Sequence, residues 1–226
     1  MQNIKLIKKS KIPNTFKTQF VKNKFDIDKE EIVETFELEF DFPKDWKIGV
    51  IVGNSGTGKS TIAKELFKLD KYEYGNGAIV DEIVTKESVD VITQVFNRVG
   101  FSSPPSWLKP YSVLSNGEKM RVDLAQSVLN DKKQICFDEF TSVVDRNVAK
   151  MASFCIQKYI RKSDKQFVAV ACHFDILEWL EPDWIIDTNT MSFHQGKGAP
   201  IKDPLLILKS ENVSKANGIS LKSIII

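Results

Sequence analysis

Residues 53–60 read Gly-Asn-Ser-Gly-Thr-Gly-Lys-Ser, which fits the pattern G-x-x-x-x-G-K-[ST]. No other stretch restricts the fold as strongly, because the pattern works only between a strand and a helix. Its glycines let the backbone curl so that several N–H groups face one phosphate chain. The helix that follows adds free donors and partial positive charge at its N-terminus. Both neighbours are legible. Lys47-Ile-Gly-Val-Ile-Val52 is a buried-strand run, and Ser60 to Leu69 places Ile62, Leu66 and Leu69 on one helical face. Lys59 is then expected to reach the terminal phosphates, with the Ser60 hydroxyl holding Mg²⁺.

Two later segments bear on the same chemistry. Gln134-Ile-Cys-Phe137 is an apolar run that ends in Asp138-Glu139. Carboxylates at the C-terminal edge of a buried strand sit where open parallel sheets bind ligands. Asp138 is expected to hold Mg²⁺ and Glu139 to polarise an attacking water. Leu114-Ser115-Asn116-Gly117-Glu118 precedes a helical pattern that includes Met120, Leu124 and Val128. Ser-x-x-Glu is a capping box. A capped helix start is also an anion site, so the two readings are compatible.

In this order and spacing, the three segments resemble those of ABC-type ATPases. The resemblance runs from about Lys47 to Asp187. It implies ATP and Mg²⁺ as cofactors and a homodimer in which each copy completes the other's pocket. Gly53, Asn54, Ser55, Gly56, Thr57, Gly58, Lys59, Ser60 and Thr61 would wrap the phosphates. Ser115, Asn116, Gly117 and Glu118 would meet the γ-phosphate held by the partner copy. Asp145, in Ser142-Val-Val-Asp145, corresponds to a loop that crosses the dimer interface. His173, at the end of the apolar run Gln166–Cys172, corresponds to a histidine that senses the γ-phosphate. The family's lid glutamine, which would join Ser60 and Asp138 around Mg²⁺, has one candidate, Gln94, which also reads as a solvated helix residue. Phe25, Phe20 and Phe16 compete as the adenine-stacking ring, and each also reads as core. Residues 100–107, 137–146 and 172–184 resemble a subgroup of phage and mobile-element ABC ATPases that are often joined to an acetyltransferase-like domain. This chain is too short to carry one.

The implied fold is α/β: a P-loop NTPase with a mostly parallel sheet flanked by helices and an antiparallel β subdomain. Its limits are residues 1–195, divided into the β subdomain (1–46) and the core (47–195). Ser115 follows Lys59 by 56 residues, which leaves room for only a shortened helical subdomain near 85–114. A strand near Gly77–Val84 and a helix near Ser88–Val99 are expected there. The small lobe favours a nucleotide-driven dimerisation switch outside transport; an ABC transporter's ATP-binding subunit is the alternative. Val148, Met151, Ala152, Cys155, Ile156 and Tyr159 form a helical stripe expected in the core. The tail, residues 196–226, has apolar pieces at 205–208 and 224–226 and reads as a final strand or a linker.

Composition sets wider bounds. At 226 residues and 42% hydrophobic content, the chain can bury one good core. No run approaches membrane-span length and no leader is evident. Cys136, Cys155 and Cys172 fit buried, reduced thiols of a cytoplasmic protein. Their spacing implies no zinc site. The formal net charge is only +2, but it is divided. Residues 1–25 hold seven lysines and no acid, whereas residues 26–41 hold eight acids and one lysine. The basic arm could contact nucleic-acid phosphates, pair with the acidic stretch, or be a solvated end. Neither aromatic–basic interleaving nor a base-reading motif stands out along it.

Overall fold

The computed structural model describes residues 2–196. The tail pieces at 205–208 and 224–226 lie outside the described residues.

The chain opens with a long hairpin. Strand β1 (Gln2–Lys11) pairs antiparallel with β2 (Glu31–Phe40) over its whole length. Helix α1 (Phe16–Lys24) is carried at the hairpin's far end. The divided charge of this region is largely resolved across the strands, where Lys5 pairs with Glu37, Lys8 with Glu34 and Lys9 with Glu31. Along β2 the inward positions Phe36, Leu38 and Phe40 are buried at period two.

The core sheet contains β3 (Ile48–Val52), β4 (Gln134–Phe137), β5 (Gln166–Ala171), β6 (Trp184–Asp187) and β7 (Ser192–Gln195), in the order β4-β5-β3-β6-β7. The first four in that order run parallel; β7 is an antiparallel edge. All five residues of β3 are buried, as expected for a strand covered on both faces. One face carries α4 (Val89–Arg98), α6 (Asn116–Leu129), α7 (Arg146–Lys162) and α8 (Ile176–Leu180). The other carries α2 (Lys59–Leu66) and the base of the hairpin. There Phe40, Trp46, Phe67 and Trp184 share one cluster, with the Phe67 and Trp184 rings stacked at 5.7 Å. Gly49 is required beneath it, since a Cβ there would lie 2.0 Å from the Trp184 ring.

Several expectations need correction. No strand forms near 77–84; the segment holds a short helix, α3 (Ile79–Glu82). The Glu82 carboxylate accepts the N–H groups of Gly75 and Gly77 at 2.7 and 2.9 Å, which bends the chain and drops Ile79 and Ile83 into the helical lobe. The β4 edge where an added strand would pair is met by Asp70 instead. Its carboxylate accepts the Cys136 N–H at 2.9 Å, and its own N–H donates to the Cys136 carbonyl at 2.9 Å. Helix α2 stops at Leu66, so Leu69 packs from beyond its end. Met151, assigned above to the core stripe of α7, is 60% exposed; the buried line there is Ala149, Ala152, Ile156 and Ile160. Cys136 is buried, while Cys155 and Cys172 are only half-buried. Burial pushes the Cys136 thiol up to about 12. The helix expected near Ser88–Val99 is α4, capped by the Ser88 hydroxyl. A short helix α5 (Pro104–Trp107) and a 3₁₀ turn (Tyr111–Val113) complete the small lobe. No helix among the described residues is long and apolar enough to cross a membrane.

Candidate nucleotide site

The register of three neighbouring strands assembles the site. Val52 lies beside Ala171, and Phe137 beside Ala169. Gly53, Asp138 and His173 therefore all leave the sheet at one edge, the C-terminal edge of the parallel strands.

The phosphate loop caps α2 at that edge. Gly58, the residue before the helix, has φ 88°, a left-handed conformation costly for any other residue. The Phe36 ring packs against it so closely that a Cβ would lie 2.3 Å away. Lys59 Nζ donates to the Asn54 carbonyl at 2.7 Å, and the Thr57 hydroxyl donates to the same oxygen at 2.8 Å. Ser60 Oγ donates to Asp138 Oδ1 at 3.0 Å, joining the helix to the strand end. Glu139 follows with φ 55°, rare for a non-glycine residue. A cavity of about 250 Å³ opens here, with Phe36, Ser55, Gly56, Lys59, Ser60 and Glu139 among its lining residues.

The donor set suits a hard cation. A hydroxyl and a carboxylate oxygen 3.0 Å apart are what Mg²⁺ takes when phosphates and water supply its other ligands. Among the described residues, no group of three or more His, Cys, Asp and Glu could hold a metal ion.

The predicted site residues do not all gather at this cavity. Ser115 is the N-cap of α6, and the capping box is complete: its hydroxyl meets the Glu118 N–H at 3.3 Å, and its N–H donates to Glu118 Oε2 at 2.9 Å. Hydrogen bonds from the Ser106 hydroxyl and the Ser115 N–H hold the Glu118 carboxyl below the usual range. Leu114 is buried beside this start, while Ser115 and Asn116 are exposed. The Ser115–Glu118 segment does not line the 250 Å³ cavity of its own chain. Asp145 caps α7, accepting the N–H groups of Asn147 and Val148 at 3.0 Å each. His173 is half-buried just past β5. Gln94 is an exposed residue of α4 and is not among the lining residues of the cavity. Phe16, Phe20 and Phe25 are 88%, 58% and 63% exposed, which removes the core reading of each.

Two contributions had no signal in the linear sequence. Phe36 backs the phosphate loop from β2. A turn after β6 holds the loop from the other side: Asn189 Oδ1 accepts the Asn54 N–H at 2.9 Å, and Thr188 Oγ1 meets Thr57 Oγ1 at 2.5 Å. These partners are more than 130 residues apart, and no local motif announces them.

Comparison with known proteins bears on the same arrangement. No protein-family model matches the chain. The energy-coupling factor transporter ATP-binding protein EcfA1 of Staphylococcus aureus is 27% identical over 195 residues, covering 68% of this chain and 71% of that protein. The lactococcin-G-processing and transport ATP-binding protein LagD of Lactococcus lactis is 26% identical over 185 residues, covering 62% of this chain and 26% of that protein. Among solved structures, the ATP-binding cassette MJ0796, a dimer bound to ADP and Pi, superposes with a TM-score of 0.56 at 14% identity, covering 73% of this chain and 93% of that one. CbiO1 from Clostridium perfringens, part of the cbiONQ transporter complex, gives 0.55 at 15% identity, with 81% and 87% covered. The chain has the fold of the ABC-type P-loop ATPases. In this chain the phosphate loop and the Ser60–Asp138 pair lie together at the C-terminal edge of the parallel strands.

Proposed function

We propose that two copies of the chain enclose ATP between them and that hydrolysis separates the copies. The observation that carries this reading is the division of the motifs. Lys59, Ser60, Asp138 and Glu139 converge at one sheet edge, while Ser115 and Asn116 are exposed and stand outside that chain's own cavity. A second copy would supply them across the phosphates. The dimeric cassette among the structural neighbours supports the same geometry.

The chain's residues then have distinct tasks. Lys59 leaves the Asn54 carbonyl and pairs with the β- and γ-phosphates. Ser60 and Asp138 would hold Mg²⁺, which supplies charge neutralisation when bound. Glu139 accepts hydrogen bonding from the attacking water and takes its proton. His173 reaches the γ-phosphate from the same edge, and Asp145 crosses to the partner. Association is thereby tied to ATP and release to its hydrolysis.

The partner that this cycle drives has two readings. The small lobe, with the resemblance to phage and mobile-element ATPases, supports a cytoplasmic switch acting on a protein such as an acetyltransferase-like one. The names of the relatives support an ATP-binding subunit of a transporter. Recovering what a trapped Glu139→Gln protein retains, with and without detergent-solubilised membranes, separates them: a membrane-spanning partner selects the second reading.

The shared pocket is tested by mixing. Lys59→Ala and Ser115→Arg copies are each expected to be inactive, yet their mixture should regain partial turnover, because one pocket of each hybrid has both intact halves. Hybrid dimers that form and stay inactive would sink the proposal.

A further inference from the structure

Helix α1 is built inside out. None of its residues is buried, and its apolar side chains face solvent: Phe16 is 88% exposed, Phe20 58% and Val21 46%, with Phe25 at its C-cap 63%. Its less exposed positions are Thr18, Gln19 and Lys22. Thr18 closes a capping box with Thr15, and Gln19 Nε2 donates to Asn14 Oδ1 at 3.0 Å. A nine-residue helix is too short to persist on propensity alone, so the cap and the hairpin hold it with its rings outward.

The helix also creates an order that linear inspection misses. Positions i, i+4 and i+8 form one stripe, Phe16, Phe20 and Lys24; the next stripe is Lys17, Val21 and Phe25. At about 100° per residue, Phe16, Phe20, Lys24 and Lys17 therefore follow one another across one outward face, two rings beside two cations, while Phe25 lies round the far side. Lys24 Nζ sits 5.8 Å from the Phe25 ring centroid. Unlike Lys5, Lys8 and Lys9, which pair across the hairpin, Lys17 and Lys24 project from this outward surface.

We propose that this face of α1 docks single-stranded nucleic acid, with bases stacking on Phe16 and Phe20 and phosphates meeting Lys17 and Lys24. Charge selects an anionic occupant. Residues 197–226 carry five lysines against two acids, and a second copy of α1 would bring the same lysines, so both are like-charged. An anionic membrane would favour rings and lysines segregated to opposite sides of the helix, whereas here they share one side. A single strand offers flat rings beside charges, which this face matches with Phe16 and Phe20 next to Lys24 and Lys17. The inference does not rest on the ATPase reading.

The test is fluorescence anisotropy of the full chain, without ATP, against labelled oligothymidylate and oligouridylate of about 20 nucleotides, a length that spans one such platform. Binding should weaken as salt rises. Phe20→Ala should weaken it about tenfold, while Phe20→Tyr, which keeps the ring, should retain it. The double variant Lys17→Glu/Lys24→Glu should lower the slope of log affinity on log salt by about 1 to 2. Circular dichroism checks that each variant is folded. Three results would overturn the proposal: no binding at low salt, binding indifferent to these substitutions, or a preference for duplex over single strands. Binding to vesicles of anionic phospholipid without oligonucleotide binding would assign the face to membranes instead.

Discussion

Two residues at the phosphate loop and strand edge carry the sharpest tests. Glu139 stands next to the Asp138–Ser60 pair and holds φ 55°. If it takes the proton from water, Glu139→Gln keeps ATP binding, lowers turnover by a factor of about 10² to 10⁴ and accumulates the dimer on a sizing column. An ATP-loaded mutant that stays monomeric removes that role. Gly58 is constrained twice, by its φ of 88° and by the Phe36 ring. Gly58→Ala is expected to destabilise the chain by about 1–2 kcal/mol from the backbone conformation, with a further steric penalty. Adding Phe36→Ala should relieve the steric part, leaving the conformational part in denaturant titrations. The placement of Lys59, Ser60 and Asp138 at one sheet edge was legible because each belongs to a short motif between recognisable elements. Phe36 and Asn189 were not, because their contacts to the loop are made by packing across the chain.

At the scale of elements, helix α6 joins two functions that substitution can separate. Its N-cap hydroxyl satisfies a helix donor and also belongs to the surface proposed to meet the partner's phosphate. Ser115→Ala should cost about 1 kcal/mol of stability through the lost cap. Ser115→Asn keeps a good cap and should leave the melting temperature nearly unchanged while the larger side chain abolishes turnover. The same helix carries Asp123, which accepts the hydroxyls of Tyr74 and Tyr111 at 2.9 Å each. Burial pushes this carboxyl up from 3.8 to about 6, and the two tyrosine hydrogen bonds only partly offset it. Its folded value therefore lies above its unfolded one. The stability linked to its protonated form is fully present below about pH 4 and is lost as pH rises through about 6. Wild type should lose up to about 3 kcal/mol relative to Asp123→Asn across that window, and the difference should be flat above it. A constant difference from pH 4 to 8 in denaturant titrations would refute the assignment.

Over the whole molecule, the hairpin and the sheet share one aromatic core. Trp184 lies between Phe42 and Phe67, with ring centroids at 4.7 and 5.7 Å, and fills the space above Gly49. Trp184→Ala should cost about 3–5 kcal/mol, and because the same core seats β2 and hence Phe36, ATP affinity should fall with it. Affinity that survives in the folded fraction would show that the hairpin is not needed to shape the site. Local pattern was enough to specify the buried parallel strands β3, β4 and β5, the phosphate loop opening α2, the capping box of α6 and the acidic end of β4. Each of these depends on residues close together in the chain, where spacing alone sets geometry. Tertiary packing decided the rest. Glu82 captured two glycine amides and replaced the expected strand near 77–84 with α3, Asp70 met the edge of β4, the Thr188–Asn189 turn clasped the phosphate loop, and α1 turned its rings to solvent. Such outcomes depend on which distant groups compete for the same hydrogen bonds and the same buried volume, and that competition exists only once the chain has folded.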